Sequence, residues 1–197
     1  MKKNTIVLLS VLAVVALTAI WGVNKYNSFV TGEEKVTSSW SKVESAYQRR
    51  ADLIPNLVNT VKGYAKHENQ TLVDVIEARA KATQVTVDPA NLTAESIAAY
   101  QKAQNNISAA LGKLMVIREE YPELKADKMF LELQTQLEGT ENRINVERNN
   151  FNEAVKAYNV SLRKFPANIV ANICGFDQKA YFQADEAAAT APTVSFE

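Results

Sequence analysis

His67 is the one imidazole in this chain and Cys174 the one thiol, and neither stands in a setting that activates it. Nucleophilic catalysis wants a Ser or Cys beside a base, usually His. His67 lies in a polar stretch (Lys66, Glu68, Asn69) and reads as a solvated residue near a helix junction. Cys174 follows an apolar run (Ile169, Val170, Ile173) and reads as a small core residue. A di-metal site in a helical bundle would want Glu-x-x-His on two helices, and a phosphate cradle would want a Gly-rich loop. The sequence offers neither, so no catalytic, cofactor-binding or metal-binding residue is assigned.

The grouping with more to offer is charged. Arg49, Arg50, Asp52, Pro55 and Asn56 cluster in one stretch, and Glu141, Asn142, Arg143, Glu147 and Arg148 in another. Arg50 and Glu147 fall at positions of a helical seam that should hold methyl groups. If their helices pack together they meet inside. An unpaired buried charge costs several kcal/mol, so these groups must pair with each other or reach water. The plain reading is a polar layer that fixes helix register. The functional alternative is a partner site or a hinge around Arg50 and Pro55. Asparagine is also dense nearby (Asn142, Asn145, Asn149, Asn150, Asn152, Asn159) although it is a poor helix former. Hydrogen bonds to a neighbouring element, or a partner surface, would account for that density.

The elements that position these residues read as helices. From Phe29 the apolar residues follow a seven-residue repeat, Phe29, Val36, Val43, Arg50, Leu57, Tyr64 in one column and Trp40, Tyr47, Ile54, Val61 in the other. Pro55 lies inside that stripe, which continues in phase beyond it, so a kink near residues 52–55 is expected rather than an end. A second helix is expected over about 69–85, with Leu72, Ile76 and Arg79 on one side. Asp88-Pro89 marks a loop, and Thr93 an N-cap opening a third helix that closes before Pro122. In the fourth, Phe130, Leu137, Ile144, Phe151, Tyr158 and Phe165 recur every seven residues. A short amphipathic piece follows (Ile169 to Phe176), and a frayed or disordered tail is expected from about residue 183. The predicted fold is all-α: an elongated antiparallel bundle of about four long helices. Six Gly and five Pro in 197 residues suit few turns.

Residues 6–23, IVLLSVLAVVALTAIWGV, are free of charge over eighteen positions. At roughly 1.5 Å per residue they span about 27 Å, close to a hydrocarbon core. Trp21 and Tyr26 mark the far end as interfacial anchors. A cleavable signal peptide is the competing reading, but the small residues near Ala16 and Ala19 lie inside the apolar run. The expected organisation is therefore an anchor over 1–25, a bundle over 26–182 and a tail over 183–197. Lys2 and Lys3 precede the span, which by positive-inside bias puts the N-terminus in the cytoplasm and the bundle outside. Twenty-two basic residues against twenty-two acidic argue against nucleic acid as a partner.

Several of these stretches resemble the LemA family of bacterial proteins: YNSFV (Tyr26–Val30), RRADLIPNLVNTVKGYAKHE (Arg49–Glu68), EEYPELKAD (Glu119–Asp127), LQTQLEGTENRINVERNNFNEAVKAYN (Leu133–Asn159) and Phe165-Pro166. The resemblance implies a membrane-anchored antiparallel helical bundle with no established enzymatic activity, and its signature residues coincide with the charged seam. The functional expectation is a non-catalytic, membrane-anchored scaffold or adaptor of the bacterial envelope. A structural homo-oligomer, or a peptide or small-molecule sensor acting through Pro55, is the alternative.

Overall fold

The computed structural model describes residues 3–65 and 67–183. The expected tail lies, but for Gln183, outside them. The described residues form six helices: α1 (Lys3–Tyr64), α2 (Asn69–Gln84), α3 (Ala94–Glu120), α4 (Pro122–Lys125), α5 (Lys128–Arg163) and α6 (Ala167–Cys174). The four long ones run up and down. Tyr64 meets Asp127 and Arg50 meets Glu141, so α5 is antiparallel to α1, whereas Trp40 meets Tyr100 and Arg50 meets Gln104 and Ser108, so α3 runs with α1.

α1 is one helix of 62 residues from the apolar run into the bundle, with no break at residue 25 and none at Pro55. Its first part buries nothing against the bundle: Leu8, Leu12 and Leu17 are all more than half exposed. From Phe29 onward the expected columns are buried, through Val61, while Tyr64 is exposed. Close approach to α5 is permitted by Gly32, where an added Cβ would stand 3.0 Å from the Tyr158 ring.

Helix ends follow local chemistry. Thr93 caps α3, its hydroxyl accepting from the Ser96 amide while Ser96 Oγ accepts from the Thr93 amide. Pro122 stops α3 after Glu120 and opens α4 at its first position. Asp127 caps α5 by accepting from the Phe130 amide at 2.8 Å. The same corner holds Glu119 between Lys125 and Arg118, which draw its carboxyl down to about 2. The Phe130 amide and the Tyr64 hydroxyl likewise lower Asp127. A carboxyl depressed in the folded state contributes stability above its unfolded value and loses it as pH falls through the folded one. The Glu119 contribution is therefore complete above about 4.5 and gone near 2, and it is small because the group is exposed. Carboxyl NMR titration should give Glu119 a midpoint near 2; a midpoint above 4 would show that the corner is open in solution.

Three expectations change. Ile76 faces solvent, and α2 packs instead through Leu72, Val75 and Ala82. Phe165, last in its column, is 82% exposed because α5 ends at Arg163. Cys174 is exposed, not core. α6 buries only Ala167 and Ala171, so the apolar run around the thiol is not an inward-facing one.

Gly175, at φ 73°, turns the chain out of α6. Residues 176–183 then return along the bundle as an extended strap. Asn159 brackets Lys179, donating to its carbonyl oxygen and accepting from its amide, and Asn152 brackets Phe182 in the same way. Phe182 stacks on Trp40 at 5.6 Å. The Lys179 ammonium reaches Glu33 at 2.7 Å. Two of the unexplained asparagines are thus read by backbone.

Candidate functional site

The core falls into two apolar clusters. One contains Tyr47 on α1, Tyr100 on α3 and Ile144 on α5; the other contains Leu53, Ile107 and Leu137 on the same helices. Between the two, each of these helices contributes polar residues: Arg50, Gln104, and the pair Thr140 and Glu141. This layer is the site that the charged seam foreshadows.

Arg50 is 2% exposed and organises it. One terminal nitrogen donates to Ser108 Oγ at 2.8 Å and to Glu141 Oε2 at 3.0 Å. The other donates to the Gln104 carbonyl oxygen at 3.0 Å and to its side-chain oxygen at 2.8 Å. The guanidinium plane also lies over the Tyr47 ring, 5.1 Å from its centre. Four donors are satisfied across three helices, with Nε left unpaired. A planar fork does this where an ammonium would not.

The carboxylate facing Arg50 is Glu141, not Glu147. Glu147, buried three residues past Ile144, turns to Arg143 at 2.7 Å and accepts from Asn150 at 3.1 Å. Arg148 belongs to the strap, donating to the Gln183 carbonyl oxygen and lying over the Phe182 ring at 4.9 Å. Arg49 is exposed, bonds Gln136, and shares a shallow cleft of about 350 Å³ with Arg143. Asp52 is exposed and accepts from Gln48. Asn56 and Asn142 face solvent away from the layer. Gln104 and Tyr47 in the seam and the exposed Ser108 could not be assigned from sequence, because neutral side chains look unremarkable until an arginine points at them.

Pro55 has a specific use. Proline lacks the amide that would bond the carbonyl four residues back. That carbonyl belongs to Ala51, itself buried, and Arg79 of α2 donates to it through Nε at 2.7 Å. A gap in the α1 ladder thereby becomes the docking point for α2. Arg79→Met should destabilise the chain by about 1–3 kcal/mol, the cost of orphaning a buried carbonyl. In a Pro55→Ala background residue 55 regains its amide, and the same change should cost clearly less. Equal losses in the two backgrounds, measured by chemical denaturation, would show that the proline and the arginine act independently.

A groove of about 680 Å³ opens beside the layer between α1, the end of α2 and α3, lined by Glu44, Tyr47, Asp52, Thr83, Tyr100 and Gln104 among others. Burial raises the Glu44 carboxyl against a smaller lowering by Trp40, and burial raises both the Tyr47 and Tyr100 hydroxyls. At neutral pH the tyrosines remain protonated. The lining can donate and accept hydrogen bonds but presents no activated nucleophile. Among the described residues no group of three or more His, Cys, Asp or Glu could hold a metal ion.

The LemA family model matches residues 39–196. The chain belongs to the LemA family. The match takes in the Arg50 layer, Pro55, Arg79 and the strap, and begins after the YNSFV stretch. Among curated proteins, this LemA-family chain is similar to magnetosome protein MamQ 2 of Paramagnetospirillum magneticum, 29% identical over 91% of this chain and 72% of the relative. It is similar to magnetosome protein MamQ of Magnetospirillum gryphiswaldense at 29% identity over 88% of this chain and 70% of the relative. Protein LemA of Metamycoplasma hominis is 26% identical over 83% of this chain and 71% of the relative. None of these names denotes a reaction. Family membership, the helical fold and, among the described residues, one helix apolar enough to cross a bilayer describe a membrane-associated helical protein.

Proposed function

We propose that this chain is a single-pass, membrane-anchored scaffold or adaptor of the bacterial envelope, with no catalytic role. Its N-terminus lies in the cytoplasm and its bundle outside. The observation that carries this is α1: the helix whose exposed apolar start suits a bilayer is the same helix whose later turns form the bundle core. Such a chain holds a rigid helical surface at a fixed place on the membrane. The polar layer supports the same reading, since its buried groups are committed to one another and fix the register of α1, α3 and α5.

In-membrane crosslinking of a C-terminally tagged chain, followed by mass spectrometry, tests the proposal. A single stoichiometric envelope protein is the expected product. Self-crosslinks alone would replace the adaptor with a structural homo-oligomer.

A further inference from the structure

α6 packs Ala167, Ala171 and part of Val170 against the bundle and turns Ile169 and Ile173 outward. Ile173 is 79% exposed and Ile169 50%, and Phe165 just before the helix is 82% exposed. Apolar groups this exposed on one short segment mark a surface that something covers. Their position identifies the cover. Val170, Ile173 and Cys174 share a cleft with Ala19, Gly22, Val23 and Tyr26 of α1, the turns where the apolar span ends. Ala19 lies four residues inside Val23, so at about 1.5 Å per residue the cleft that α6 lines extends about 6 Å below the end of the span. Phe176 meets the rings of Tyr26 and Phe29 edge-on, both at 5.4 Å, and so holds α6 against this stretch. Arg163 and Lys164, both exposed, close α5 immediately before Phe165.

We propose that α6 and Phe165 form a second membrane contact, an interfacial helix lying at the boundary of headgroups and acyl chains beside the span. The occupant of this face is lipid, because the face continues the lipid-exposed surface of α1 at the same depth. Cations at its edge suit anionic headgroups, and an apolar helical face seated about 5–10 Å into the boundary is the usual geometry of interfacial helices. The proposal requires α1 to span the bilayer and is independent of the adaptor role.

Cys174, the chain's one thiol, carries the test. The full chain, nitroxide-labelled at Cys174, is placed in vesicles of equal parts phosphatidylcholine and phosphatidylglycerol. Collision with oxygen is then compared with collision with a water-soluble nickel chelate. Two reference chains carry Cys174→Ser with either Leu12→Cys, within the span, or Val116→Cys, on the exposed face of α3. The expected result at Cys174 is strong oxygen and weak nickel contact, on the Leu12 side of the scale. Ile169→Asp with Ile173→Asp should shift it toward the Val116 value while helicity is kept. A Cys174 signal as nickel-accessible as Val116 overturns the proposal, and so does protection from both reagents, which would mean burial against a second protein. An unmoved signal in the double variant overturns it as well. Failure of the span itself would show separately, as nickel contact at Leu12.

Discussion

Arg50→Met should lower the unfolding free energy of the detergent-solubilised chain by about 3–5 kcal/mol, the range for breaking a buried charged network. The change removes four donated hydrogen bonds at once and leaves the Gln104 side-chain oxygen facing a thioether. Glu141→Gln should cost under about 1 kcal/mol, because Arg50 keeps its other three donated bonds and an amide oxygen in place of the carboxylate, and the ion pair lost is half exposed on the Glu141 side. The asymmetry separates a layer organised by one arginine from a symmetric ion pair. Arg50→Met combined with Gln104→Leu should cost less than the sum of the two, since the second change removes the orphaned amide. Arg50→Met and Glu147→Gln should instead add, the two residues belonging to separate pairs. Urea denaturation followed by helical circular dichroism decides it. A loss below about 1 kcal/mol for Arg50→Met would show that water enters the layer freely.

Trp40→Ala is the second change with a large expected effect, again about 3–5 kcal/mol, from lost transfer energy and the cavity left behind. Trp40 is fully buried and touches rings from three other parts of the chain: Tyr100 on α3 at 5.2 Å, Phe151 on α5 at 5.5 Å and Phe182 on the strap at 5.6 Å. Domains hold only about 5–15 kcal/mol in total, so the variant should sit near its unfolding threshold. Removal of the stacking surface under Phe182 should also release the strap before the helices melt. Limited proteolysis ought then to cleave within residues 176–183 while helicity persists. Cleavage no faster than in the parent chain would mean that Asn152 and Asn159 hold the strap without Trp40.

The helices were legible because a seven-residue period survives in the sequence wherever one helical face is buried. Phe29 to Val61 and Phe130 to Tyr158 follow it faithfully. The period tells which face turns inward but not at what height two helices meet, and that height depends on the lengths of the loops and on α4. Hence Arg50 and Glu147 are both buried, yet the carboxylate facing Arg50 is Glu141. The strap left no periodic trace. An extended segment held by Asn159 and Asn152 is fixed through its own backbone, so its residue types are only weakly constrained. Pro55 showed as a break in a ladder, and only Arg79 in place shows what the break is for. Cys174 misled for a related reason: an apolar run normally means a core, and here its outward side is open.

The unbroken passage of α1 through residue 25 bears on how the molecule would respond to its bilayer. A span longer or shorter than the local hydrocarbon thickness relieves the mismatch chiefly by leaning. In a chain with a flexible neck that lean stays within the membrane and the outer domain never registers it. With α1 as the proposed span, no neck lies between Val23 and Phe29, so the lean is handed whole to a bundle built on the same axis. Bilayer thickness would then set the inclination of every helix that packs on α1.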